Sequence, residues 1–132
     1  MIKSLRKNQK SMPVNAIHGS AKIANSAVLH HGSLINQGVI IGANSELGNH
    51  CLVHAGAIID FNVKIGDFVQ IGAGSIINSG AVVEDGAFIG SGVTVVSGVT
   101  IKEGARVGAG SVVISDVDKN KTVFGNPAVP IK

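Results

Sequence analysis

The sequence predicts an all-β chain wound into a parallel β-helix, and three observations predict it. Every sixth residue from Ile17 to Val113 is Ile, Leu or Val, at all seventeen positions. The residue two places before each later member of that series, from Ala21 to Val117, is always Ala, Ser, Val or Cys. The chain also has 18 Gly and only four Phe, with neither Trp nor Tyr, which is typical of many short strands joined by tight corners.

The six-residue repeat fits a strand, because its two inward positions lie two residues apart and alternate side chains of a strand share a face. An amphipathic α-helix would instead repeat every 3.6 residues. Three strands and three corners make a coil of 18 residues, so residues 18 apart stack at about 4.8 Å. Seventeen hexads at three per coil give between five and six coils, and no insertion interrupts them between residues 17 and 116.

The residue after each large aliphatic is the expected corner. In the seventeen repeats it is Gly six times, His three times, Asn twice and Asp once. These residue types tolerate positive φ. The pattern therefore predicts positive φ one place after each large aliphatic, and it assigns His18, His30 and His54 to such positions.

The outward residues predict a homotrimer. Two faces are apolar, and their outward columns are Ile40, Ile58, Ile76, Thr94 and Val112 on one and Leu34, Leu52, Gln70 and Phe88 on the next. The third is more polar and carries Val28, Glu46, Lys64, Val82 and Thr100. Contiguous apolar patches are normally covered by an interface. A heterologous contact between the two apolar faces closes as a ring of three, with the small corner between them toward the axis.

Composition and charge limit the binding partners and the cellular compartment that can be expected. Eleven Lys and Arg face eight Asp and Glu, but four of the basic residues lie within residues 1–10. Residues 1–13 are therefore predicted to be a basic segment, solvated or docking, with contact to a polyanion as the less favoured alternative. The single cysteine, Cys51, excludes an internal disulfide, and the absence of a long apolar run predicts no membrane span. We expect a cytoplasmic protein that does not bind nucleic acid.

Two segments resemble a known family. The runs IIDFNVKIGDFVQIGAGS and SVVISDVDKNKTVFGNPA are similar to those of the NeuD-like hexapeptide-repeat sugar acyltransferases. The resemblance implies a left-handed parallel β-helix over residues 14–132, with a C-terminal tail from about residue 117. It also implies a homotrimeric acyltransferase that takes acetyl-CoA as co-substrate and acetylates an amine or hydroxyl of a sugar or nucleotide sugar.

The chain departs from that family in two ways. Family members usually carry an N-terminal nucleotide-sugar-binding domain, whereas here only some sixteen residues precede the first coil. The family also tends to place histidines at the positions of Phe61 and Gln70. These departures keep open an alternative function, a non-catalytic scaffold or an inactive acyltransferase homologue.

Four residues are candidates for catalysis. Acetyl transfer needs a base, or an acceptor amine delivered unprotonated, together with donors for the developing oxyanion. We expect the site in the outer grooves of the trimer, between the corner with Phe61 in one subunit and the corner with His31, His50 and Phe68 in the next. His50 is the candidate for a substitute base that acts across this interface, with His54 as the second choice. Asp60 and Asn62 flank the position of the missing family histidine and are candidates for orienting the acceptor. The competing interpretation is that all four are ordinary corner residues.

The candidate cofactor-binding residues follow by analogy with the family. They are Gly72, Gly90, Ser91, Gly108 and Gly110, whose backbone N–H groups would line the coenzyme A chain, and Lys121, which with Lys119 would meet its phosphates. The alternatives are that the glycines only form corners and that the lysines lie in a solvated loop.

Two other functions were weighed. A zinc site like that of the γ-class carbonic anhydrases would need His31, His50 and His54, but the spacing of His50 and His54 differs from that family, so no metal is expected. Ice binding would need outward threonine ladders, and the strands offer only Thr94 and Thr100.

Overall fold

The computed structural model describes residues 14–131, and the chain there is a left-handed parallel β-helix, as predicted. The predicted basic segment at residues 1–13 lies outside the described residues. Two-residue strands recur every six residues from Ala16 to Val112, and strands 18 residues apart pair in parallel in all three sheets.

The three sheets form the sides of the helix. Sheet A contains β1 (Ala16–Ile17), β4 (Leu34–Ile35), β7 (Leu52–Val53), β10 (Gln70–Ile71), β13 (Phe88–Ile89), β16 (Arg106–Val107), β18 (Thr122–Gly125) and β19 (Ala128–Pro130). Sheet B contains β2 (Lys22–Ile23), β5 (Ile40–Ile41), β8 (Ile58–Ile59), β11 (Ile76–Ile77), β14 (Thr94–Val95) and β17 (Val112–Val113). Sheet C contains β3 (Val28–Leu29), β6 (Glu46–Leu47), β9 (Lys64–Ile65), β12 (Val82–Val83) and β15 (Thr100–Ile101).

The core is the column of large aliphatics that the six-residue repeat predicts. From Ile35 to Val113 these side chains are almost completely buried, because each coil covers the one before it. Ile17 is different, since its side chain is 44% exposed at the open end of the prism, where no described coil covers it. The expectation that Ile17 belongs to the core is therefore wrong for the described residues.

Buried serines at the small inward positions link successive coils. Ser75 Oγ donates to Gly90 O at 2.8 Å and accepts from Val93 N–H at 3.1 Å. Ser45 makes the equivalent pair of hydrogen bonds with Asp60 O and Val63 N–H. A buried hydroxyl is tolerated because both of its hydrogen-bonding functions are satisfied.

The corners correct one prediction. Positive φ occurs three places after each large aliphatic, in every coil from Gly32 to Gly110, and not one place after it. The glycines one place after serve another purpose: a Cβ on Gly72 would lie 2.4 Å from the carbonyl carbon of Gly90 in the next coil. Close approach of the coils, and not φ, requires glycine there.

At the C-terminal end the repeat becomes shorter, and the last strands cover the end of the β-helix. Ile101 bridges Val117, and Arg106 pairs with Thr122, so the last coil has 16 residues between partners and not 18. β18 then pairs antiparallel with β19, and Ala128 packs against the core.

Candidate active site

His54 and Gln70 form a polar contact on the outer surface of sheet A. The Nε2 atoms of the two side chains lie 3.2 Å apart. With this amide orientation Gln70 donates to His54 Nε2, which places the imidazole proton on Nδ1, whereas the flipped amide would accept from Nε2–H and leave Nδ1 as the free base. In either case Gln70 fixes the tautomer of His54, but only the flipped amide leaves an imidazole nitrogen, Nδ1, free to accept a proton.

This pair lies at the edge of a surface depression of about 330 Å³, here called the sheet A depression. Its floor is glycine because the column on this edge changes along the prism: His18, Asn36 and His54 are followed by Gly72, Gly90 and Gly108. The space ends where the ring of Phe124 covers Gly108. The residues lining the depression are Asn36, His54, Ala55, Gln70, Gly72, Ala73, Phe88, Gly90 and Ser91.

Backbone donors in this region are mostly engaged. The N–H groups of Gly72, Gly90 and Gly108 donate to carbonyls of the following coil at 2.8–2.9 Å. Gly110 N–H donates to Ser91 O at 2.8 Å. Among the five residues predicted to offer N–H groups to coenzyme A, only Ser91 has an N–H without a hydrogen bond to the described residues, and that residue is exposed.

Asp60 and Asn62 lie on a different edge, between sheets B and C, here called the BC corner. Asp60 Oδ1 accepts from Phe61 N–H at 2.9 Å, which holds the carboxylate against the turn. Asn62 adopts φ of 56°, a conformation that asparagine tolerates. Phe61, at the position of the missing family histidine, projects between them with its side chain 49% exposed.

His50 lies on the third edge, between sheets C and A, here called the CA corner. It adopts φ of 55°, and its ring stacks on that of Phe68, with centroids 5.2 Å apart and an interplanar angle of 20°. Phe68 also has positive φ, 58°. A non-glycine residue in this region costs about 1–2 kcal/mol, so two adjacent coils carry strain here.

The remaining candidate, Lys121, is exposed just before β18. Nearby, Lys119 Nζ lies 3.8 Å from Glu103 Oε1. This ion pair is exposed and contributes little to stability.

Within one chain, therefore, the predicted site residues fall into separate groups. His54, Gly72, Gly90 and Ser91 share the sheet A depression, and Gly108 and Gly110 continue along the same edge. Asp60 and Asn62 occupy the BC corner, and His50 the CA corner. A single site that used all of them would need residues from more than one copy.

Two ionisable groups outside this depression have a shifted pKa. The hydrogen bond from His30, at 2.9 Å, lowers the pKa of Glu46. Burial raises the pKa of the Cys51 thiol, which donates to Gly66 O and behaves as a core residue.

Among residues 14–131 no group of three or more His, Cys, Asp or Glu side chains is placed to hold a metal ion. His31 and His50 lie at the CA corner, whereas His54 lies beyond sheet A. The same residues contain no helix that could cross a membrane.

Comparison with protein families identifies the repeat. The bacterial transferase hexapeptide repeat matches residues 80–115, and the hexapeptide repeat of succinyl-transferase matches residues 62–95. A variant of GDP-perosamine N-acetyltransferase from Caulobacter crescentus, in complex with CoA and GDP-perosamine, superposes with a TM-score of 0.91 and 35% identity, covering 98% of this chain.

The repeat of this chain is the hexapeptide repeat of bacterial transferases, over residues 62–115. This confirms the resemblance to hexapeptide-repeat sugar acyltransferases that the sequence indicated. The acetyltransferase domain of PglB from Neisseria gonorrhoeae FA1090 is also similar, with 27% identity over 98% of this chain and a TM-score of 0.90. WeeI from Acinetobacter baumannii AYE matches with 26% identity over 98% of this chain and a TM-score of 0.86.

This chain covers 63% of the length of each of those three structures. No protein with a curated function matches it significantly. The contact between Gln70 and His54 was not predicted from the sequence, in which Gln70 stands out only as the replacement of a family histidine. Residues 16 apart in the sequence lie in neighbouring coils. The contact could therefore be predicted once the length of the coil was known.

Proposed function

We propose that this chain is an acetyl-CoA-dependent acetyltransferase that acts on an amine or hydroxyl of a sugar or nucleotide sugar. The observation that carries the proposal is the similarity, over 98% of the chain, to a fold that binds CoA and GDP-perosamine in the Caulobacter crescentus enzyme. The similar PglB domain binds acetyl coenzyme A. Sheet A of this chain supplies a depression with a polar pair at its edge, which suits a thioester and an attacking nucleophile.

The active unit we propose is a homotrimer. Exposed aliphatic side chains on sheets A and B support it: Leu34 is 43% exposed and Ile40 is 45% exposed. Packing sheet A of one copy on sheet B of the next buries both and closes as a ring of three. The small residues of the corner between sheets A and B then lie toward the axis. Each sheet A depression would gain a second wall from the neighbouring copy's sheet B, and its Gln70 end, farther from the axis, would face that copy's BC corner.

His54 is the base that this arrangement favours. In the proposed reaction the acceptor nitrogen or oxygen attacks the thioester carbonyl carbon, the new C–N or C–O bond forms, and the C–S bond breaks. His54 takes the proton that the nucleophile loses and returns it to the departing sulfur. The flipped Gln70 amide, which accepts from Nε2–H, holds the imidazole in the tautomer whose Nδ1 takes that proton. His50, the base preferred from the sequence, is stacked on Phe68 at another corner and is the second candidate.

The other predicted residues take supporting roles in this proposal. Ser91 N–H is free to bind the carbonyl oxygen as negative charge develops on it. Gly72, Gly90, Gly108 and Gly110 keep the track free of side chains, and their contribution is space, not hydrogen bonds. Asp60 and Asn62 of the adjacent copy would orient the acceptor, and Lys121 would meet the coenzyme phosphates.

The same proposal covers the organisation of the chain. Residues 1–13 would form a basic segment, and residues 14–132 the acyltransferase domain with its tail from about residue 117. The cytoplasm, where acetyl-CoA is available, is the compartment that we propose.

One specific observation favours the second candidate function, a non-catalytic scaffold. Phe61 and Gln70 stand where related enzymes tend to have histidines. A scaffold of this kind would keep the trimer and lose acetyl-CoA affinity.

The test combines binding and turnover. Acetyl-CoA should raise the melting temperature of the full chain, and release of the CoA thiol should be seen with GDP-perosamine as the trial acceptor amine. Binding without release would keep the acyltransferase proposal and reject this acceptor. A melting temperature that ignores acetyl-CoA would support the scaffold, and a melting temperature lowered by chelator would support a metal site.

A further inference from the structure

The CA corner carries a pair of residues that the fold itself does not require. Its column of left-handed residues reads Gly32, His50, Phe68, Gly86 and Gly104. All other described residues with positive φ are glycine or asparagine. Strained bulky residues persist where the surroundings or a function retain them, and glycine, which serves at three of these five places, would relieve the strain.

The stacked rings of His50 and Phe68 leave space for a third ring on the side of Phe68 that faces away from His50. The ring of His50 fills the space above Gly32, where a Cβ would lie 2.4 Å from Nδ1. Phe68 covers the other side of His50. On the far side of Phe68 the next coil offers Gly86, and no atom lies within 4 Å of where its Cβ would be. Phe68 is 66% exposed, more than any other large hydrophobic side chain in residues 14–131.

Carboxylates near Gly86 determine which kind of ring is favoured in the space next to Phe68. Asp85 is exposed and adjacent to Gly86; its Oδ1 accepts from Asp67 N–H at 2.8 Å, and its second carboxylate oxygen can accept a further hydrogen bond. Glu84, also exposed, precedes it. Carboxylates accept hydrogen bonds from the exocyclic amine of a nucleobase, and they repel phosphate. A flat ring with an N–H edge is therefore favoured, with the phosphates of the same ligand directed away from this corner.

We propose that the face of Phe68 above Gly86 is a stacking site for a purine that carries an exocyclic amine. Two ligands of the proposed reaction class contain one, the adenine of coenzyme A and the guanine of a guanosine nucleotide sugar. Base stacking on an aromatic side chain is tolerant of base identity, so the same site accepts either. This inference deepens the proposed function by naming a purine subsite, and it rests on that function for its choice of ligands.

Calorimetric titration of the full chain with 3′,5′-ADP and with GDP tests the proposal, with ribose 5-phosphate as the ligand without a base. The purine that binds more tightly identifies the source of the ring. Phe68→Gly should weaken binding of that purine about 5- to 150-fold. It should also leave the melting temperature equal or higher, because it removes a strained side chain. Phe68→Trp should keep the affinity.

Asn44→Gly is the matched control, since it relieves a left-handed residue of the same kind, φ 60°, at the BC corner. It should leave purine affinity unchanged. The proposal fails if neither purine binds the wild-type chain, if ribose 5-phosphate binds as well as they do, or if Phe68→Gly retains full affinity. It also fails if Phe68→Gly dissociates the oligomer, because the ring would then serve an interface. No acetyl transfer is measured, so these outcomes leave the proposed activity to its own test.

Discussion

Within the regular coils, sheets A and B differ from sheet C in their outer surfaces and not in their interior. All three bury the same alternation of large and small apolar residues, as Ile71 in sheet A, Ile77 in sheet B and Val83 in sheet C illustrate with at most 1% exposure. Outside, sheet B presents the aliphatic column Ile40, Ile58 and Ile76, whereas sheet C places Glu46 beside Lys64 in the paired strands. The interior therefore specifies the coil, and the exterior specifies what the coil contacts.

We expect sheets A and B to form the contacts between copies, and sheet A to carry the chemistry as well. Apolar columns on sheets A and B are suited to burial between copies, and the charged pair on sheet C is suited to water. The depression with His54 lies on sheet A, so assembly would complete the same surface that carries the chemistry.

The largest expected effect is on assembly. Ile58→Asp places a carboxylate in the middle of the sheet B column, and its desolvation opposes any contact with another copy. We expect complete dissociation to monomers in sedimentation analysis, with loss of acetyl transfer. Val82→Asp, at an equally half-buried outward position on sheet C, is the matched control and should leave the trimer intact.

If both variants dissociate, or neither does, the distinction between the faces is wrong. A folded Ile58→Asp trimer would mean that another surface holds the copies together.

The next effect is on turnover. His54→Ala removes the proposed base and should lower kcat by about 100-fold or more, with little change in KM for acetyl-CoA. Gln70→Leu should lower kcat less, because the imidazole remains but its tautomer is no longer fixed. His50→Ala, at the CA corner, should retain most of the activity. The reverse order, with His50→Ala inactive and His54→Ala active, would move the base to the CA corner.

The repeat predicted the fold because its signal is redundant. Any few of the inward aliphatics, such as Ile35, Ile59 and Ile77, give the same six-residue period, and the strand pairs then follow at 18 residues. The corners were less well predicted. Both glycine columns were visible, but only contact with the next coil distinguishes Gly72, which avoids a clash, from Gly74, which needs positive φ.

The site was harder to predict, because side-chain contacts depend on which coils are adjacent. His54 and Gln70 are 16 residues apart, and this separation indicates a contact only when the length of the coil is known. The glycines were expected to donate their N–H groups, and that use is incompatible with the hydrogen bonds they make between coils. Which groups meet across an interface depends on a second copy.

The smallest expected effect concerns the interior, which is built from the same kinds of residue behind all three sheets. Burial raises the pKa of Cys51 above its ordinary 9.0, so the native state retains a proton that the unfolded chain loses. The free energy of unfolding should therefore fall as pH rises above about 9, and Cys51→Ala should remove that part of the slope. Urea titrations at pH 8 and pH 10 measure the difference, and an equal slope in both proteins would contradict the assignment.

Subunit mixing tests the central claim most directly, that one active site takes sheet A from one copy and the BC corner from the next. His54→Ala and Asp60→Ala, each inactive alone, are exchanged in equal amounts to form mixed trimers, and acetyl transfer is measured. Each interface has both native residues in about one case of four, so the account predicts recovery of about a quarter of the wild-type activity. Activity no greater than that of the two separate variants would contradict it.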